Sequence, residues 1–398
     1  MRIAYVTETY PPEINGVSLS VERTVAHLRT AGHEVQLIRP RQRGEARRND
    51  PAEWRTSGCP IPLYPDLRFG WAGVRALGRR WTADRPGQGE GQTLPPDLVH
   101  VATPGPLGWA ALRAARSLGL PTSADFRTNF HSYTRHYGLG WLEPAVLGWL
   151  RRLHDMADIT FVPTRRLATE LAGRGFQRIQ VVGRGVDTQR FSPRLRDDWL
   201  RLAWQARRDT RVLLYVGRLA AEKNVGLALT CFESLRERHP GLRMVVVGDG
   251  PQRAALEQQH PLARFVGSLT GSELARCYAS ADVFLFPSLT DTFGNVTLEA
   301  LASGLSVAAF DTAAAGQLIK DGVNGWLATP CAGEEGREAF AVAAERALLT
   351  SSPDGALRQW ARLTGVRTQW EDVLRPFELS LLSLVRATRV VAPHAALA

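Results

Sequence analysis

The chain has 398 residues, of which 44% are hydrophobic and 22% are charged, and its formal net charge is +10. This length exceeds what one hydrophobic core usually serves and predicts about two globular domains, and the composition excludes a disordered chain. Because the sequence has no run of about 18 or more apolar residues, no transmembrane helix is expected.

The positive charge is concentrated in the first half of the chain. Residues 1–200 hold 28 arginines against 19 acidic residues, whereas residues 201–398 hold 21 basic and 20 acidic residues. A basic half favours an anionic partner, and we expect an anionic membrane surface, because no nucleic-acid recognition motif accompanies the charge. The alternative is that an arginine-rich genome places arginine on every surface, since the only lysines are Lys223 and Lys320.

The first residues of the chain and the spacing of its cysteines indicate in which cellular compartment the protein is expected. Residues 1–6 enter a strand-like run directly, which is not the pattern of a signal peptide. The four cysteines are scattered without metal-ligand spacing, at Cys59, Cys231, Cys277 and Cys331. We therefore expect reduced thiols in a cytoplasmic protein, held peripherally on the inner face of the cell membrane.

Strand and helix patterns alternate through the first half of the chain. Six strands are predicted at 3–7, 35–38, 98–101, 122–126, 159–162 and 179–182. A loop that contains glycine at 8–17 leads into an amphipathic helix at 18–31, whereas 41–60 and 82–96 lack periodicity and predict surface loops. The alternation predicts a parallel, doubly wound sheet.

A second alternating series begins near residue 211. Its strands are predicted at 212–216, 243–247, 264–266, 283–286 and 306–309. A charged segment at 187–210 is the expected linker between the two series, and a tail helix is expected at about 368–385. The chain therefore predicts two α/β domains without a short internal repeat.

The most informative segment of the chain is 282–304. A short apolar strand ends at Pro287, and a polar loop that contains Gly294 leads into a helix. Such a strand–loop–helix junction makes an anion site, because the first backbone N–H groups and the helix dipole point at one place. The acids Asp291 and Glu299 flank it. A carboxylate repels a bound phosphate but accepts hydrogen bonds from hydroxyl groups, as an acid does from ribose in dinucleotide folds. We therefore expect a ligand that carries both phosphate and sugar.

Four segments of the chain carry specific motifs. They are Pro-Pro-Glu-Ile-Asn-Gly at 11–16, Val-Gly-Arg-Leu-Ala-Ala-Glu-Lys-Asn at 216–224, Val-Gly-Asp-Gly-Pro at 247–251, and the loop and helix at 288–304. With two doubly wound domains, they resemble the family-four retaining glycosyltransferases, above all bacterial GDP-mannose-dependent α-mannosyltransferases and lipid glycosyltransferases. The resemblance covers nearly the whole chain.

The resemblance implies the GT-B fold, in which two doubly wound, Rossmann-like domains face a cleft. It places an N-terminal, acceptor-side domain at 1–195 and a nucleotide-sugar-binding domain at 196–367. It further implies that a C-terminal helix at 368–390 returns to pack on the N-terminal domain.

Three residues are expected at the donor diphosphate. A departing nucleoside diphosphate develops negative charge, which Arg218 and Lys223 would neutralise in place of a metal ion. By the resemblance this is their role, so activity without any metal or other cofactor is expected. Gly16, in the loop after the first strand, would let the backbone approach the diphosphate.

The two acids of the most informative segment match the acids of the family. Glu299 matches the acid that holds the ribose hydroxyls, and Asp291 matches the acid that touches the donor sugar. The family usually has glutamate at the position of Asp291, and the aspartate side chain here is one methylene shorter. The resemblance implies two further groups of donor-binding residues. The loop of Gly248, Asp249 and Gly250 would lie near the nucleoside. The sugar and the phosphate would be bound by the backbone N–H groups of Phe293, Gly294, Asn295 and Val296.

A third candidate region follows the strand that ends near residue 126. Many relatives carry a histidine there that faces the donor sugar, and in this chain Arg127 takes that position, with His131 four residues later. Both are candidate catalytic residues, and both could instead be structural. The segment 126–153 is rich in aromatic and basic residues, a composition that can lie at a membrane interface. For its individual residues we expect an ordinary helix pair that buries tryptophan and leucine, whereas a membrane interface is favoured for the basic half as a whole.

The combined prediction is a retaining glycosyltransferase. It would move a hexose, with mannose favoured, from GDP-mannose or a UDP-sugar to a lipid or glycan acceptor at the membrane surface. The alternatives are a GT-B nucleotide-sugar enzyme of another type, such as a 2-epimerase, and a transferase with a soluble acceptor. A dinucleotide oxidoreductase is disfavoured, because no Gly-x-Gly-x-x-Gly follows the first strand.

Overall fold

The computed structural model describes residues 1–395, except 14, 43–44, 46–49, 51, 62–63, 83–94, 128–142 and 332. The chain forms two compact units. The first comprises the described residues up to Gly183 together with the chain from Val373, and the second is Arg184–Asp372. Each unit is built on its own, mostly parallel sheet, so the prediction of two doubly wound α/β domains is confirmed.

The described part of the first unit contains an eight-stranded sheet. Its strands are β1 (Arg2–Val6), β2 (Glu34–Pro40), β3 (Glu53–Ile61), β4 (Tyr64–Trp71), β5 (Leu98–Val101), β6 (Thr122–Asp125), β7 (Ile159–Val162) and β8 (Ile179–Val181). Their order in space is β4-β3-β2-β1-β5-β6-β7-β8, and all neighbours are parallel except β3 and β4. The winding direction reverses between β1 and β5, which makes this place the topological switch point of the sheet.

The prediction of a surface loop at 41–60 is wrong for its last part. β3 pairs in parallel with β2, from Leu37 opposite Glu53 to Pro40 opposite Thr56, and turns back into the antiparallel β4. The sequence Glu-Trp-Arg-Thr-Ser-Gly-Cys-Pro-Ile has no clean apolar alternation. Pairing with an existing strand edge, a non-local contact, therefore decides this strand.

Helices accompany the strands of the first unit. They are α1 (Gly16–Thr30), α2 (Val74–Trp81), α3 (Pro106–Ser117), α4 (Glu143–His154) and α5 (Arg165–Gly173). Asn15 caps α1, since its side-chain oxygen accepts the backbone N–H groups of Val17 and Ser18 at 3.0 and 2.8 Å. The predicted loop at 82–96 lies mostly outside the described residues.

The described part of the second unit contains a six-stranded, all-parallel sheet. Its strands are β9 (Val212–Val216), β10 (Arg243–Val247), β11 (Arg264–Gly267), β12 (Val283–Phe286), β13 (Ser306–Phe310) and β14 (Trp326–Ala328). Their order is β11-β10-β9-β12-β13-β14, so the winding direction reverses between β9 and β12. This is the topological switch point of the second sheet.

The helices of the second unit cover both faces of its sheet. They are α6 (Asp198–Ala203), α7 (Val225–Arg238), α8 (Arg253–Gln259), α9 (Gly271–Ser280), α10 (Asn295–Ala302), α11 (Ala313–Leu318), α12 (Gly333–Leu349) and α13 (Ala356–Val366). Leu214 and Phe284 belong to one buried cluster, and Leu213 and Leu285 belong to the other. Strands buried on both faces explain the continuous apolar runs in the sequence.

The last helix of the chain, α14 (Trp370–Ala395), joins the first unit from Val373 onwards. Phe377 packs against His100 and Phe161, with ring centroids 5.3 and 4.8 Å away. Glu378 contacts the Nε2 atoms of His27 and His33, each at 3.0 Å. The expected return of the C-terminal helix to the first unit is therefore confirmed.

Candidate functional site

The loops that carry most of the predicted residues meet at one edge of the second sheet. β10, β9 and β12 are neighbours, so the segments that follow them leave the sheet side by side. The topological switch point lies between the last two of these strands. In open parallel sheets, ligands bind at the carboxyl ends of the strands at such a point.

Lys223 and Asp291 form an ion pair across this switch point. Lys223 ends a short 3₁₀ turn after β9, and Asp291 lies in the loop after β12. The Nζ and Oδ1 atoms are 2.5 Å apart, and the two side chains are only 15% and 14% exposed. Asn224, next to the lysine, adopts a left-handed conformation with φ of 52°, which turns the chain into α7.

Two polar atoms of the loop after β12 have no partner within the described residues. These are Oδ2 of Asp291 and Oγ of Ser288, and both atoms are buried. A buried acceptor without a hydrogen bond is costly, so native structures almost always satisfy it. Hydroxyl groups of a bound ligand are a suitable source of the missing hydrogen bonds.

Arg218 is a second cation in the segment that follows β9 and contains Lys223. Its side chain is 36% exposed, and its Nη1 lies 3.6 Å from the buried carboxylate of Glu222. Beneath it, the hydroxyl of Tyr215 donates to the backbone oxygen of Arg218 at 3.3 Å. Burial raises the pKa of Tyr215 well above its usual value, and the carboxylates of Asp291 and Glu222 add to this rise. The site therefore combines cations and acids in a small volume.

The glycines of the loop after β10 permit close backbone packing. Gly248 has φ of 136°, and a Cβ atom there would lie 1.9 Å from the backbone oxygen of Gly217. A Cβ at Gly250 would lie 2.4 Å from the backbone oxygen of Leu219. Only glycine fits these two positions, so the loops after β9 and β10 form one surface.

Asp249, between these glycines, mainly braces its own loop. Its Oδ1 accepts the Gly250 N–H at 2.7 Å, and its Oδ2 lies 2.9 Å from Nη1 of Arg253. The Gly250 hydrogen bond and the Arg253 hydrogen bond lower the pKa of this exposed carboxyl. The side chain therefore stays ionised at neutral pH.

The helix α10 begins where the sequence predicted an anion site. Gly294 precedes it with φ of 84°, and no side chain caps its first turn. Phe293 is buried, and its backbone oxygen accepts the Ala314 N–H at 2.7 Å, which anchors the loop. The backbone N–H groups of Asn295 and Val296 belong to the first turn of this helix, where the helix dipole favours negative charge.

Glu299 lies in the same helix and has an unpredicted partner. The hydroxyl of Tyr278, on α9, donates to its Oε2 atom at 2.9 Å. Burial raises the pKa of Glu299 to about 7, whereas the Tyr278 hydrogen bond and the charge of Arg190 lower it. Tyr278 has no local sequence signal, because the contact joins two helices that are separated by β12.

The predicted residues of the first unit lie in different surroundings. Gly16 is exposed at the start of α1. The guanidinium of Arg127 is buried and donates to Asp125 at 2.6 Å, Ser20 at 2.7 Å and Tyr5 at 3.3 Å. Burial lowers the pKa of Arg127, but the charges and hydrogen bonds of Asp125 and Tyr5 together raise it above its usual value. His131 lies outside the described residues.

The switch point of the first sheet holds a buried acid that the sequence did not reveal. The Oε1 atom of Glu8, just after β1, accepts the N–H groups of Leu107 at 3.0 Å and Gly70 at 3.3 Å. A Cβ atom at Gly105 would lie 1.6 Å from the other oxygen. Burial raises the pKa of Glu8 to about 8, and hydrogen bonds from Leu107, Gly70 and Gly105 lower it. This carboxyl therefore fills the start of α3.

Two further findings concern only the part of the chain that the structure describes. No group of three or more histidine, cysteine, aspartate or glutamate side chains is arranged to hold a metal ion. No helix there combines the length and the apolar character that crossing a membrane requires.

Comparison with known families identifies both halves of the chain. Residues 14–190 match the model described as Glycosyltransferase Family 4. Residues 210–349 match the model described as Glycosyl transferases group 1. Together these matches include the loops after β9, β10 and β12.

Individual proteins are similar over most of the chain. A GDP-mannose-dependent alpha-mannosyltransferase of Mycolicibacterium smegmatis is 38% identical, over 80% of this chain and 82% of the relative. An alpha-monoglucosyldiacylglycerol synthase of Streptococcus pneumoniae is 28% identical, over 82% of this chain and 75% of the relative. The solved sucrose-phosphate synthase of Thermosynechococcus elongatus is 18% identical and superposes with a TM-score of 0.78, over 97% of this chain and 99% of that one. This likeness shows the GT-B fold.

Proposed function

This chain belongs to glycosyltransferase family 4, and we propose that it transfers a hexose, with mannose favoured, from a nucleoside-diphosphate sugar to a lipid or glycan acceptor. The observation that carries the proposal is the Lys223–Asp291 pair at the topological switch point, since the Oδ2 atom of the acid has no hydrogen-bond partner among the described residues. GDP-mannose is the proposed donor, because a relative 38% identical to this chain is named for it.

The proposed reaction begins with the donor diphosphate between the loops after β9 and β12. Arg218 and Lys223 would face the phosphates and stabilise the charge that develops as the glycosidic bond breaks. The N–H groups of Asn295 and Val296 would add the positive end of the α10 dipole. Two cations and a helix start can supply the charge compensation that other transferases obtain from a metal ion.

The two acids have separate proposed tasks. Lys223 holds Asp291 through Oδ1. The Oδ2 atom would accept a hydrogen bond from a hydroxyl of the donor sugar. Glu299 would accept the ribose hydroxyls. Retention of the anomeric configuration is proposed to follow a front-face route, in which the donor phosphate accepts the proton of the acceptor hydroxyl.

A panel of nucleotide sugars tests the donor assignment. We expect GDP-mannose to raise the thermal unfolding midpoint of the full-length protein more than UDP-glucose, UDP-galactose or ADP-glucose does. Incubation of the selected donor with bacterial lipid extract should then give an α-linked glycolipid. Interconversion of the donor sugar without transfer would instead favour the epimerase. A product formed only with soluble acceptors would show that the acceptor is not a lipid.

A membrane surface is proposed on the face of the first unit that carries α3 and α4. Trp109 and Trp149 stack there, with ring centroids 4.2 Å apart, and Trp149 is 40% exposed. Arg151 and Arg152 follow it and are exposed. An exposed aromatic ring beside two arginines suits the interface of an anionic membrane. The rest of the aromatic and basic segment, 128–142, lies outside the described residues.

Vesicle co-sedimentation tests this surface. The protein should bind phosphatidylglycerol vesicles at low salt, bind phosphatidylcholine vesicles weakly, and dissociate as salt rises. The double variant Arg151→Glu/Arg152→Glu should lose most of this binding, since each basic residue contributes about 1 kcal/mol. The matched control is Arg207→Glu/Arg208→Glu, an exposed pair in the second unit. Equal loss in both variants would show that binding depends on net charge alone.

A further inference from the structure

A buried tyrosine holds Glu299 from one side. Tyr278 is fully buried, and its hydroxyl donates to Oε2 of Glu299 at 2.9 Å. Its ring packs against Phe191 and Phe284, with ring centroids 5.6 and 5.7 Å away. Both neighbouring rings are themselves buried, so close packing leaves the phenol little freedom to move away from the carboxylate.

We propose that Tyr278 is a positioning residue for donor binding, which fixes one oxygen of Glu299 so that the other is presented to the ribose hydroxyls. A carboxylate has two acceptor oxygens, and the phenol occupies Oε2. Within the described residues, no other side chain donates a hydrogen bond to this carboxylate. The inference rests on the proposed function, because it takes Glu299 as the ribose-binding acid.

The same hydrogen bond affects the charge of the acid. The pKa of Glu299 is about 7, raised by burial and lowered by the Tyr278 hydroxyl and by Arg190. An ionised carboxylate accepts stronger hydrogen bonds than a neutral carboxyl does. Donor affinity should therefore fall as the pH decreases through about 7. Removal of the phenol should move this transition to higher pH, because it removes an interaction that favours the ionised form.

Calorimetric binding of GDP-mannose to the full-length protein between pH 6 and 8 tests the proposal, since the diphosphate and the guanine of the donor titrate outside this range. Tyr278→Phe removes only the hydroxyl. We expect its Kd at neutral pH to be about three- to tenfold higher than that of the wild type, with a pH midpoint at higher pH. The difference in Kd between Tyr278→Phe and the wild type should shrink at the alkaline end of the pH range. Glu299→Gln should lose the pH dependence.

Comparison of GDP with 2′,3′-dideoxy-GDP at one pH examines the ribose contact directly. In the wild type, loss of the two hydroxyls should weaken binding about tenfold. Tyr278→Phe should reduce the ratio of the two dissociation constants, dideoxy-GDP over GDP, and Glu299→Gln should reduce it further. An unchanged ratio in Tyr278→Phe would overturn the positioning role.

Cys277→Ala is the matched control for loss of packing. Cys277 precedes the tyrosine on α9 and is buried in the same core, so its truncation should lower the thermal midpoint without a shift of the pH midpoint of binding. An equal shift in both variants would reduce Tyr278 to a packing residue. If the wild type binds none of these nucleotides, the proposed function itself fails.

Discussion

The two sheets of this protein reverse their winding in the same way, but the switch points hold different chemistry. In the first unit, the carboxyl of Glu8 fills the place where β1 and β5 diverge and accepts the N–H groups of Leu107 and Gly70. In the second unit, the corresponding place holds the Lys223–Asp291 pair, with a buried oxygen that lacks a partner in the described residues. Topology offers a ligand site in both, and at the second switch point the loop after β12 carries two buried side-chain atoms without a partner among the described residues, Oδ2 of Asp291 and Oγ of Ser288.

The helix starts at the two switch points show the same contrast. The first turn of α3 is occupied by the carboxyl of Glu8, which accepts the backbone N–H group of Leu107. The first turn of α10 follows a glycine and has no side-chain cap. A helix start in a doubly wound sheet is therefore not by itself a phosphate site, because a side chain of the protein can take the position of the ligand.

The largest expected effect removes a cation from the second switch point. Lys223→Ala and Arg218→Ala should each lower the rate of transfer about 10²–10³-fold, or about 3–4 kcal/mol, because the departing diphosphate loses a charge partner. Steady-state kinetics with GDP-mannose measures this. Lys320→Ala replaces the only other lysine, which is exposed in the same unit, and should keep wild-type turnover. Near-normal turnover in both site variants would refute the donor-site assignment.

Displacement of the Glu8 carboxyl disrupts the first switch point. In Gly105→Ala, the added Cβ would overlap an oxygen of Glu8, so the carboxyl must leave its hydrogen bonds or the start of α3 must move. We expect a loss of about 1–3 kcal/mol in stability, seen as a lower thermal midpoint. Gly78→Ala is the control, since nothing lies within 4 Å of the Cβ that it would add. Equal midpoints for the two variants would contradict the role of Glu8.

The titration of Glu8 sharpens the comparison. Its pKa rises from 4.5 to about 8 in the folded chain, so folding favours the protonated form. The stabilisation that comes from the raised pKa of Glu8 is complete below pH 4.5, and it is lost as the pH rises from 4.5 to about 8. Glu8→Gln does not titrate, so its thermal midpoint should vary less between pH 5 and 8 than that of the wild type. Glu22→Gln, an exposed site on α1, should keep the wild-type profile; equal slopes for Glu8→Gln and the wild type would disprove the assignment.

Two conservative substitutions separate the acids of the second switch point. Glu299→Gln should weaken GDP-mannose binding, seen as a higher KM, because a ribose contact is made equally before and during the reaction. Asp291→Asn should mainly lower kcat, since a sugar contact can strengthen in the transition state. We expect changes of about tenfold in each case. The reverse pattern in steady-state kinetics would exchange the two roles.

The smallest expected effect is that of chelation. Activity should persist in excess EDTA, because Arg218 and Lys223 are proposed to supply the charge for which other transferases use a metal ion. Transfer rates before and after addition of EDTA measure this. Loss of activity that magnesium or manganese restores would contradict the proposal and would place a metal ion beside the diphosphate.

Local sequence was sufficient for most of the regular architecture. Apolar strand runs at 212–216 and 283–286 and the periodic helix of α1 predicted their elements, because a strand buried on both faces and an amphipathic helix each leave a pattern in consecutive residues. The same local chemistry singled out Asp291 and Glu299 as candidates, since strand–loop–helix junctions suit an anion. Lys223 was assigned through the family resemblance.

Contacts between distant residues were decided by tertiary structure. Lys223 and Asp291 are 68 positions apart and meet only because β9 and β12 are neighbours in the sheet. Tyr278 reaches Glu299 only because α9 packs beside α10, and Glu8 reaches Leu107 only because the chain returns through β5. The strand β3 was missed for the same reason, since its pairing with β2 and not its composition makes it a strand. Sequence patterns report which chemistry each loop carries, whereas strand order determines which loops meet and therefore which switch point is left for a ligand.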